Sequence, residues 1–398
     1  MKRILFALVL VVMLAACASP AATTESTGVI EPTATTEAAS VAPLSAEAPQ
    51  ETPQPTDINA PLIESPSLIN IQMLDENIGW GVSEENVVRT DDGGVTWYDV
   101  TPPNFADGGY LATADFYDAD HAWVQIPDMN QYPNGGSLYR TVDGGVTWES
   151  NSTPFSGGTF KFIDENNGWV MADLGVGAGS MAVSIFQTSD GGVTWERMYT
   201  NDPNIESSSD TLPLGGIKNF ILPLNTNVAW VGGVVYAPGE AYLYRSDDGG
   251  ETWFNINLVL PDGAGDSELT VLGLVFVSQT KGVLALRMTS DNAETIVYST
   301  EDGGNSWTLL PVTFEGYGIL ETPSASEMVF YNNDQFYVTN DAGETVEQVT
   351  PEIPFGDSIV DMSFVSSKIG WVITSDPTTG ARSLYKTTDS GATWTPLP

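Results

Sequence analysis

The stretch Thr90-Asp-Asp-Gly-Gly-Val-Thr-Trp97 returns at a regular interval along this chain of 398 residues, and it decides the fold. Its pattern is Ser/Thr-x-Asp-x-Gly-x-Ser/Thr-Trp, and a seventh copy, Thr339–Val346, has lost only the tryptophan. A pattern with a period of this size indicates a repeat architecture. The copies that keep the tryptophan are Thr90–Trp97, Thr141–Trp148, Thr188–Trp195, Ser246–Trp253, Thr300–Trp307 and Thr387–Trp394.

The aspartate of each copy is expected to hold a tight turn. Its carboxylate can accept hydrogen bonds from turn amides, and the leading Ser or Thr can do the same more weakly. Seven equivalent carboxylates spread around a disc cannot converge on one substrate, so we predict a structural role without catalysis or metal binding. These aspartates, spaced 39 to 58 residues apart, are Asp92, Asp143, Asp190, Asp248, Asp302, Asp341 and Asp389.

A second motif, apolar-x-Asp-x-x-x-Gly-Trp, precedes the turns, as in Phe162–Trp169. It indicates an inner strand, a polar hairpin turn and a second strand that begins at Gly-Trp. A third strand then leads into the aspartate turn, and a fourth begins at its tryptophan. The sixth unit is degenerate, and we expect Phe330 to take the tryptophan position there. The sequence therefore predicts an all-β chain, a seven-bladed β-propeller with four antiparallel strands per blade.

Two modes of ring closure are open at this point. Each repeat contains its own four strands, so the first blade can close directly against the seventh. Alternatively, the segment Pro61–Ile63 can add a strand to the last blade.

These turns match the Asp-box, or BNR, repeat. Together with the Gly-Trp strand they resemble the propeller domain of the photosystem II stability/assembly factor family, over about residues 66–398. The same box occurs in sialidases, sortilin-type receptors and some endoglucanases. The resemblance implies a non-enzymatic role in assembling or stabilising a membrane protein complex. A fold of this kind carries many functions, so the site has to be argued separately.

The N-terminus has the features of an export signal. Lys2 and Arg3 precede an apolar run, and Leu14-Ala-Ala-Cys17 resembles a bacterial lipobox. We therefore expect residues 1–17 to be a lipoprotein signal peptide and Cys17, the one cysteine of the chain, to be lipidated. Residues 18–65 are rich in Ala, Thr, Pro and Glu and are expected to form a disordered stalk. Residues 66–398 then form the propeller of a monomer anchored in the cell envelope, on the extracytoplasmic side (periplasm or cell surface).

The charge balance excludes several kinds of partner. The chain has 13 Lys and Arg against 52 Asp and Glu, a net charge of −39. Nucleic acid binding needs a basic track, which is absent from the sequence. Arg89, Arg140 and Arg245 occupy one repeat position, so symmetry keeps them from forming the arginine cluster of a sialidase. The single histidine, His121, lies in a predicted hairpin turn, and we expect neither a metal nor a cofactor.

Any ligand is expected on the face where the loops vary in length. Binding residues prefer variable loops held on a rigid scaffold. Aromatic side chains beside carboxylates suit a protein or a glycan surface. We predict a non-catalytic binding protein; the alternative is a carbohydrate-active protein, either a glycoside hydrolase of the Asp-box endoglucanase type or a glycan-binding module. The candidate ligand residues are Phe105, Tyr110, Asp128, Tyr132, Asp202, Tyr236, Asp262 and Asp266.

Overall fold

The computed structural model describes residues 59–105, 112–206 and 208–398. Within these ranges the regular elements are β-strands, apart from short 3-10 turns at Ala264–Asp266 and Gly356–Ser358. Cys17, the predicted signal peptide, residues 18–58 of the predicted stalk and Tyr110 lie outside the described residues.

The strands are numbered in chain order. The first half contains β1 Leu62–Ile63, β2 Leu68–Met73, β3 Gly79–Ser83, β4 Val87–Thr90, β5 Trp97–Asp99, β6 Thr113–Phe116, β7 Ala122–Pro127, β8 Gly136–Thr141, β9 Glu149–Thr153, β10 Gly158–Phe162, β11 Gly168–Gly177, β12 Ser180–Thr188 and β13 Glu196–Thr200. The second half contains β14 Ile217–Pro223, β15 Ala229–Val234, β16 Ala241–Ser246, β17 Phe254–Asn255, β18 Glu268–Phe276, β19 Gly282–Thr289, β20 Ala293–Thr300, β21 Thr308–Glu315, β22 Ile319–Glu321, β23 Met328–Asn332, β24 Gln335–Thr339, β25 Glu347–Val349, β26 Ile359–Phe364, β27 Gly370–Ser375, β28 Arg382–Thr387 and β29 Thr395–Pro396.

Antiparallel pairing of sequential strands divides them into groups of four. One sheet of eight strands contains two such groups, which the pair Val234–Thr270 joins. The Asp-box turn connects the third and fourth strand of each group, as predicted. The groups, called blades 1 to 7 below, are β2–β5, β6–β9, β10–β13, β14–β17, β18–β21, β22–β25 and β26–β29. The prediction of an all-β propeller is confirmed.

The core lies between neighbouring blades. The tryptophan of the second strand is buried in five of the blades, and its ring packs against the next blade. Trp123, for example, stacks on Phe162 with ring centroids 3.6 Å apart, and its Nε1 donates to the carbonyl of Gly191 at 2.9 Å. The Trp123 side chain therefore fills the space between two sheets, and its polar atom also has a partner.

The sixth blade departs from the predicted register. Val329, not Phe330, pairs with the residue before the box, Val338, as Trp371 pairs with Lys386 in blade 7. Successive side chains of a strand point to opposite faces. Phe330 therefore faces blade 5, where its ring stacks on Phe314 at 4.8 Å. The prediction that Phe330 takes the tryptophan position is wrong, because a shift of one residue reverses the face.

The ring closes by direct contact between the last and first blades. The amide of Met73 donates to Ser363 Oγ at 2.9 Å, and Trp371 Nε1 donates to the carbonyl of Gly93 at 2.8 Å. Strand β1 lies upstream of residue 66, inside the range predicted for the stalk. It pairs with β5 at the outer edge of blade 1, so the alternative in which Pro61–Ile63 extends the last blade is wrong.

Candidate functional site

The two ends of the blades form two different faces. One carries the turns between first and second strands together with the Asp boxes, and is called the box face. In blade 2 the amide of Gly144 in the box donates to the carbonyl of Asp120 in the other turn at 2.9 Å. The opposite end, called the loop face, carries the turns between second and third strands and the connections from blade to blade.

The Asp-box carboxylate is fully engaged by its own turn. In blade 2, Asp143 Oδ1 accepts from the amide of Thr147 and from Thr141 Oγ1, both at 2.8 Å. Asp143 Oδ2 accepts from Thr147 Oγ1 at 2.6 Å, and Thr141 Oγ1 accepts from the amide of Gly145 at 2.8 Å. The same bonds recur in the other boxes, at Asp92, Asp190, Asp248, Asp302, Asp341 and Asp389.

These bonds keep the box carboxylates ionised. At Asp302 the donors Ser306 and Thr300 lower the carboxyl pKa to about 2. At Asp143 burial acts to raise the pKa, but the hydrogen bonds from Thr147 and Thr141 outweigh it and hold the pKa below its usual range. A carboxylate with its lone pairs committed in this way is a poor proton donor at neutral pH.

A cation at one repeat position joins neighbouring blades on the box face. Lys386 lies 4.5 Å from the Trp371 ring centroid of its own blade, and its Nζ donates to the carbonyl of Glu76 in blade 1 at 3.0 Å. Arg140 and Arg245 donate in the same way to carbonyls of the next blade. Each of these cations thus stabilises a separate blade interface.

The loop face does not present all of the predicted ligand residues. Phe105 is 2% exposed and packs in the core between blades 1 and 2, so its prediction as a ligand residue is wrong. Asp128 and Asp202 lie on this face, but each accepts hydrogen bonds within its own turn, from Asn130 and Asn204 respectively. Asp262 and Asp266 are exposed; Asp262 precedes the 3-10 turn at Ala264–Asp266, and Asp266 is its last residue.

Large apolar side chains are exposed on this face over blades 2 to 5. The predicted Tyr132 and Tyr236 are 47% and 63% exposed. The pattern that selects these two tyrosines, an aromatic ring beside carboxylates in a variable loop, does not select the other exposed apolar side chains of this face. These further exposed side chains are Met129, Val176, Leu214, Val259 and Tyr317.

The loops of blades 3, 4 and 5 are joined by hydrogen bonds and a ring contact. The amide of Gly216 donates to the carbonyl of Gly179 at 2.8 Å, which ties the connection after blade 3 to the long β11–β12 hairpin. The Tyr236 ring lies beside Gly179, where an added Cβ would be 3.3 Å from the ring. The amide of Gly239 donates to the carbonyl of Ser267 at 2.8 Å. These contacts place the Tyr236 turn between its two neighbouring loops.

A pocket of about 450 Å³ opens among these loops beside blade 4. Tyr242 and Tyr244 form one side with ring centroids 4.8 Å apart, and Tyr242 Oη donates to the carbonyl of Pro213 at 3.0 Å. Glu240 also lines it and is exposed. The remaining apolar lining comes from Pro213, Val235, Ala241, Ile256, Leu258 and Leu260.

A buried lysine fixes the wall of this pocket. Lys218 is 3% exposed, and its Nζ donates to the carbonyls of Met181 and Leu214 at 2.9 Å and of Gly216 at 3.0 Å. Its Nζ lies 5.1 Å from the Tyr242 ring centroid. Burial lowers the pKa of this ammonium to about 8. Lys218 therefore holds the connection of residues 211–216 in place.

Two carboxyl groups on inner strands stand apart from both faces. Asp361 Oδ2 accepts from the amide of Ile71 at 2.8 Å across the blade 7–blade 1 interface. Burial raises the pKa of Asp361 to about 6. Burial, together with the Asp361 charge, raises the pKa of Glu321 to about 8. Over the described ranges, no cluster of three or more His, Cys, Asp or Glu is placed to hold a metal ion.

The N-terminal residues 1–18 match the family model of the prokaryotic membrane lipoprotein lipid attachment site, and Cys17 lies within them. The protein is accordingly lipid-anchored in the cell envelope, on the extracytoplasmic side. Among the elements of the described ranges, no helix meets the length and apolarity needed to cross a membrane. A search of curated proteins gives no match.

Solved structures with a similar fold include an enzyme and a peptide-binding protein. The GH74 xyloglucanase from Xanthomonas campestris aligns with a TM-score of 0.55 and 12% identity, over 83% of this chain and 54% of that one. This chain thus spans about half of the enzyme's length. YCF48 bound to D1 peptide aligns with a TM-score of 0.50 and 14% identity, over 84% of this chain and 96% of that one. At these identities the likeness shows the propeller fold alone.

Proposed function

We propose that this lipoprotein is a non-catalytic scaffold that binds a polypeptide segment of another envelope protein on the loop face of blades 2 to 5. The observation that carries the proposal is the pocket beside Tyr242, among the interlocked loops of blades 3 to 5, where Tyr236 is exposed. Tyr132 is exposed on the same face in blade 2. Exposed apolar surface that persists on a folded protein is typical of an interaction site.

The architecture supports this reading. YCF48 shares the fold over nearly its whole length and is seen with a D1 peptide, so a propeller of this size can bind a polypeptide. The resemblance to photosystem II stability/assembly factors points to the same class of role, the assembly or stabilisation of a membrane protein complex. A lipid anchor keeps such a scaffold near the membrane proteins on which it would act.

A carbohydrate-active protein is the second candidate. Tyr132, Tyr236 and Tyr317 are exposed on the same face as several carboxylates, and aromatic rings beside acids suit sugars. The xyloglucanase likeness supports this reading through the fold only. Hydrolysis of a β-glucan by the purified protein, abolished by a single loop Asp→Asn change such as Asp262→Asn, would overturn the non-catalytic proposal.

Photo-crosslinking in the native membrane tests the proposed function. A photoreactive phenylalanine analogue replaces Tyr236 on the loop face or, as the matched control, Tyr117, which is 40% exposed on the box face. We expect a recurrent adduct with one envelope protein from the position of Tyr236 and none from the position of Tyr117. Equal adducts from both positions, or none from the first together with saturable binding on a glycan array, would contradict the proposal.

The proposed lipid anchor at Cys17 can be tested separately. We propose that Cys17 carries the lipid and that residues 18–65 act mainly as a spacer. The Cys17→Ser variant should lose incorporation of a labelled fatty acid and leave the membrane fraction, while the wild-type protein retains both. Fatty-acid labelling that persists in Cys17→Ser would place the lipid elsewhere.

A further inference from the structure

We infer that the segment bound at the loop face is cationic, an extended polypeptide that carries Lys or Arg next to one large apolar side chain. This inference rests on the proposed function and specifies its partner. The apolar side chain enters the pocket beside Tyr242, and the flanking cations lie against the carboxylates of the surrounding loops.

The loops that form the pocket are acidic throughout. Residues 200–217, 235–241 and 255–268 contain seven Asp and Glu and no Lys or Arg. The pocket itself is lined by one carboxylate, Glu240, which is exposed. Charges of one sign around a cleft attract the opposite sign and speed association. The acidic side chains are Asp202, Glu206, Asp210, Glu240, Asp262, Asp266 and Glu268.

The nearest cation does not offset this charge at the surface. Lys218 is buried, and its Nζ hydrogens are taken up by the carbonyls of Met181, Leu214 and Gly216. Its donors therefore point into the protein, and none is left for an anionic ligand. An occupant with negative charge would lie beside Glu240, within loops that carry six further carboxylates, and Lys218 offers it no free donor, so the loops select against it.

The acids of the box face have a different environment from those in the loops around the pocket. There the acidic turns are interleaved with cations, including Lys386, Arg140 and Arg245, which bond the next blade. Lys281 forms an ion pair with Glu301 at 2.9 Å on the same face. Cations thus accompany the box-face acids, whereas the acids around the pocket are left to an incoming partner.

The pocket supplies the apolar part of the recognition. Tyr242, Tyr244, Ile256, Leu258 and Leu260 line the pocket, which suits one large aliphatic or aromatic side chain. The exposed Tyr236 ring can lie under a flanking Lys or Arg, because a cation is attracted to the face of an aromatic ring. A neutral sugar could also stack on the ring and donate its hydroxyls to carboxylates, but it carries no net charge for the acidic loops to attract.

Peptide probes test the charge requirement on the purified full-length lipoprotein in mild detergent. Three fluorescent peptides of equal length alternate Lys with Leu and Phe, Glu with Leu and Phe, or Lys with Ser. We expect saturable binding of the Lys–apolar peptide and at least about tenfold weaker binding of the other two. The affinity for the Lys–apolar peptide should decline as salt screens the charges.

Three variants locate the binding. Glu240→Lys reverses the pocket charge, Asn257→Trp fills the pocket from an exposed lining position, and Glu251→Lys is the control on the box face of the same blade. The first two variants should each weaken binding of the Lys–apolar peptide at least about tenfold, with unchanged unfolding midpoints. The affinity of the control variant should stay within about twofold of wild type.

Some results would overturn the inference. Equal weakening by Glu240→Lys and Glu251→Lys would mean unspecific attraction to the net charge. Equal binding of the Glu and Lys peptides, or a glycan that competes with the Lys–apolar peptide, would exclude a cationic segment. If a protein adduct still forms at the position of Tyr236, these results would overturn only the inference that the bound segment is cationic. The proposed function would stand.

Discussion

The box face and the loop face of this propeller are built under different constraints. On the box face, Asp143 and Asp302 lie in different blades, yet each Oδ1 accepts from a side-chain hydroxyl at 2.8 Å and from an amide at 2.8 or 2.9 Å. On the loop face, the strands of the β11–β12 hairpin run for 10 and 9 residues, whereas β3 and β4 have 5 and 4. One face repeats its geometry, and the other changes from blade to blade.

The contacts that stabilise the ring thus lie mainly on one face, and the surface that we propose for binding lies on the other. The box face carries hydrogen bonds and cations that bind blade to blade, so the loss of one of these contacts should lower the stability of the ring. The loop face projects beyond these contacts, so it can vary without loss of the fold. Variants of the box-face contacts should therefore lower stability more than binding. Variants on the loop face should lower binding more than stability.

The largest expected loss of stability comes from the ring closure. Trp371 is fully buried between blades 7 and 1, and its Nε1 donates to Gly93 of the first Asp box. Trp371→Ala should lower the free energy of unfolding by about 3–5 kcal/mol, because it leaves a large cavity. Urea denaturation measures this, with Trp371→Phe as the variant that keeps a ring and should lose less. A loss below about 1 kcal/mol for Trp371→Ala would show that closure does not depend on this contact.

The same residue type should behave differently on the two faces. Asp143→Ala removes the acceptor of two Thr147 donors in the box and should cost about 1–3 kcal/mol of stability. Asp202→Ala removes an acceptor that serves only Asn204 in a loop and should cost less than about 1 kcal/mol. Thermal unfolding of both variants at neutral pH checks the difference. Equal losses would break the distinction between the faces.

Replacement of the inner-strand residue Glu321 by Gln is expected to stabilise the protein at high pH. The pKa of Glu321 is raised to about 8 by burial and by the Asp361 charge. The folded chain thus holds this proton more tightly than the unfolded chain, and stability falls as pH rises from about 4.5 to about 8. Glu321→Gln should be stabilised relative to wild type by at least about 1.4 kcal/mol more at pH 8 than at pH 5, the equivalent of one pKa unit. Urea midpoints that shift equally at both pH values would contradict the raised pKa.

A smaller effect is expected from one box-face cation. Lys386→Met keeps the stem but removes the ammonium that lies over Trp371 and bonds Glu76. The expected loss is about 0.5–1 kcal/mol, in the range of a partly exposed cation–π contact. Lys368→Met, an exposed lysine in the neighbouring turn, is the control and should stay within about 0.5 kcal/mol of wild type. A loss at Lys368 as large as at Lys386 would mean that the effect is general charge.

Much of the fold could be predicted from the sequence because the constraint is local. The box Asp, Gly and hydroxyl residues act within a few positions of one another, so Thr141–Trp148 already specifies its turn. The structure differs from the prediction at residues whose position depends on contacts that are distant in the sequence. Val329 takes the tryptophan register in blade 6, Phe105 turns into the core, and Leu62–Ile63 pairs with blade 1. None of these depends on neighbours in the sequence.

The candidate site was only partly predictable for the same reason. Tyr132 and Tyr236 follow from loop length and residue type. The pocket depends on Lys218, whose partners Met181 and Leu214 belong to the hairpin of blade 3 and the connection that follows it. A lysine in a strand gives no local sign that it will be buried among carbonyls, so the sequence does not reveal the pocket wall.

The smallest expected change in stability comes from the loop face and provides the most direct test of the account. Tyr236→Ala and Asp143→Ala are compared for their urea midpoint and for the yield of partner adduct from a photoreactive group at the position of Tyr132. We expect Tyr236→Ala to leave the free energy of unfolding within about 0.5 kcal/mol of wild type and to lower the adduct yield several-fold. Asp143→Ala should lower the midpoint but keep the adduct yield of its folded fraction. The reverse pattern, or a loss of both properties in both variants, would contradict the division between a structural box face and a binding loop face.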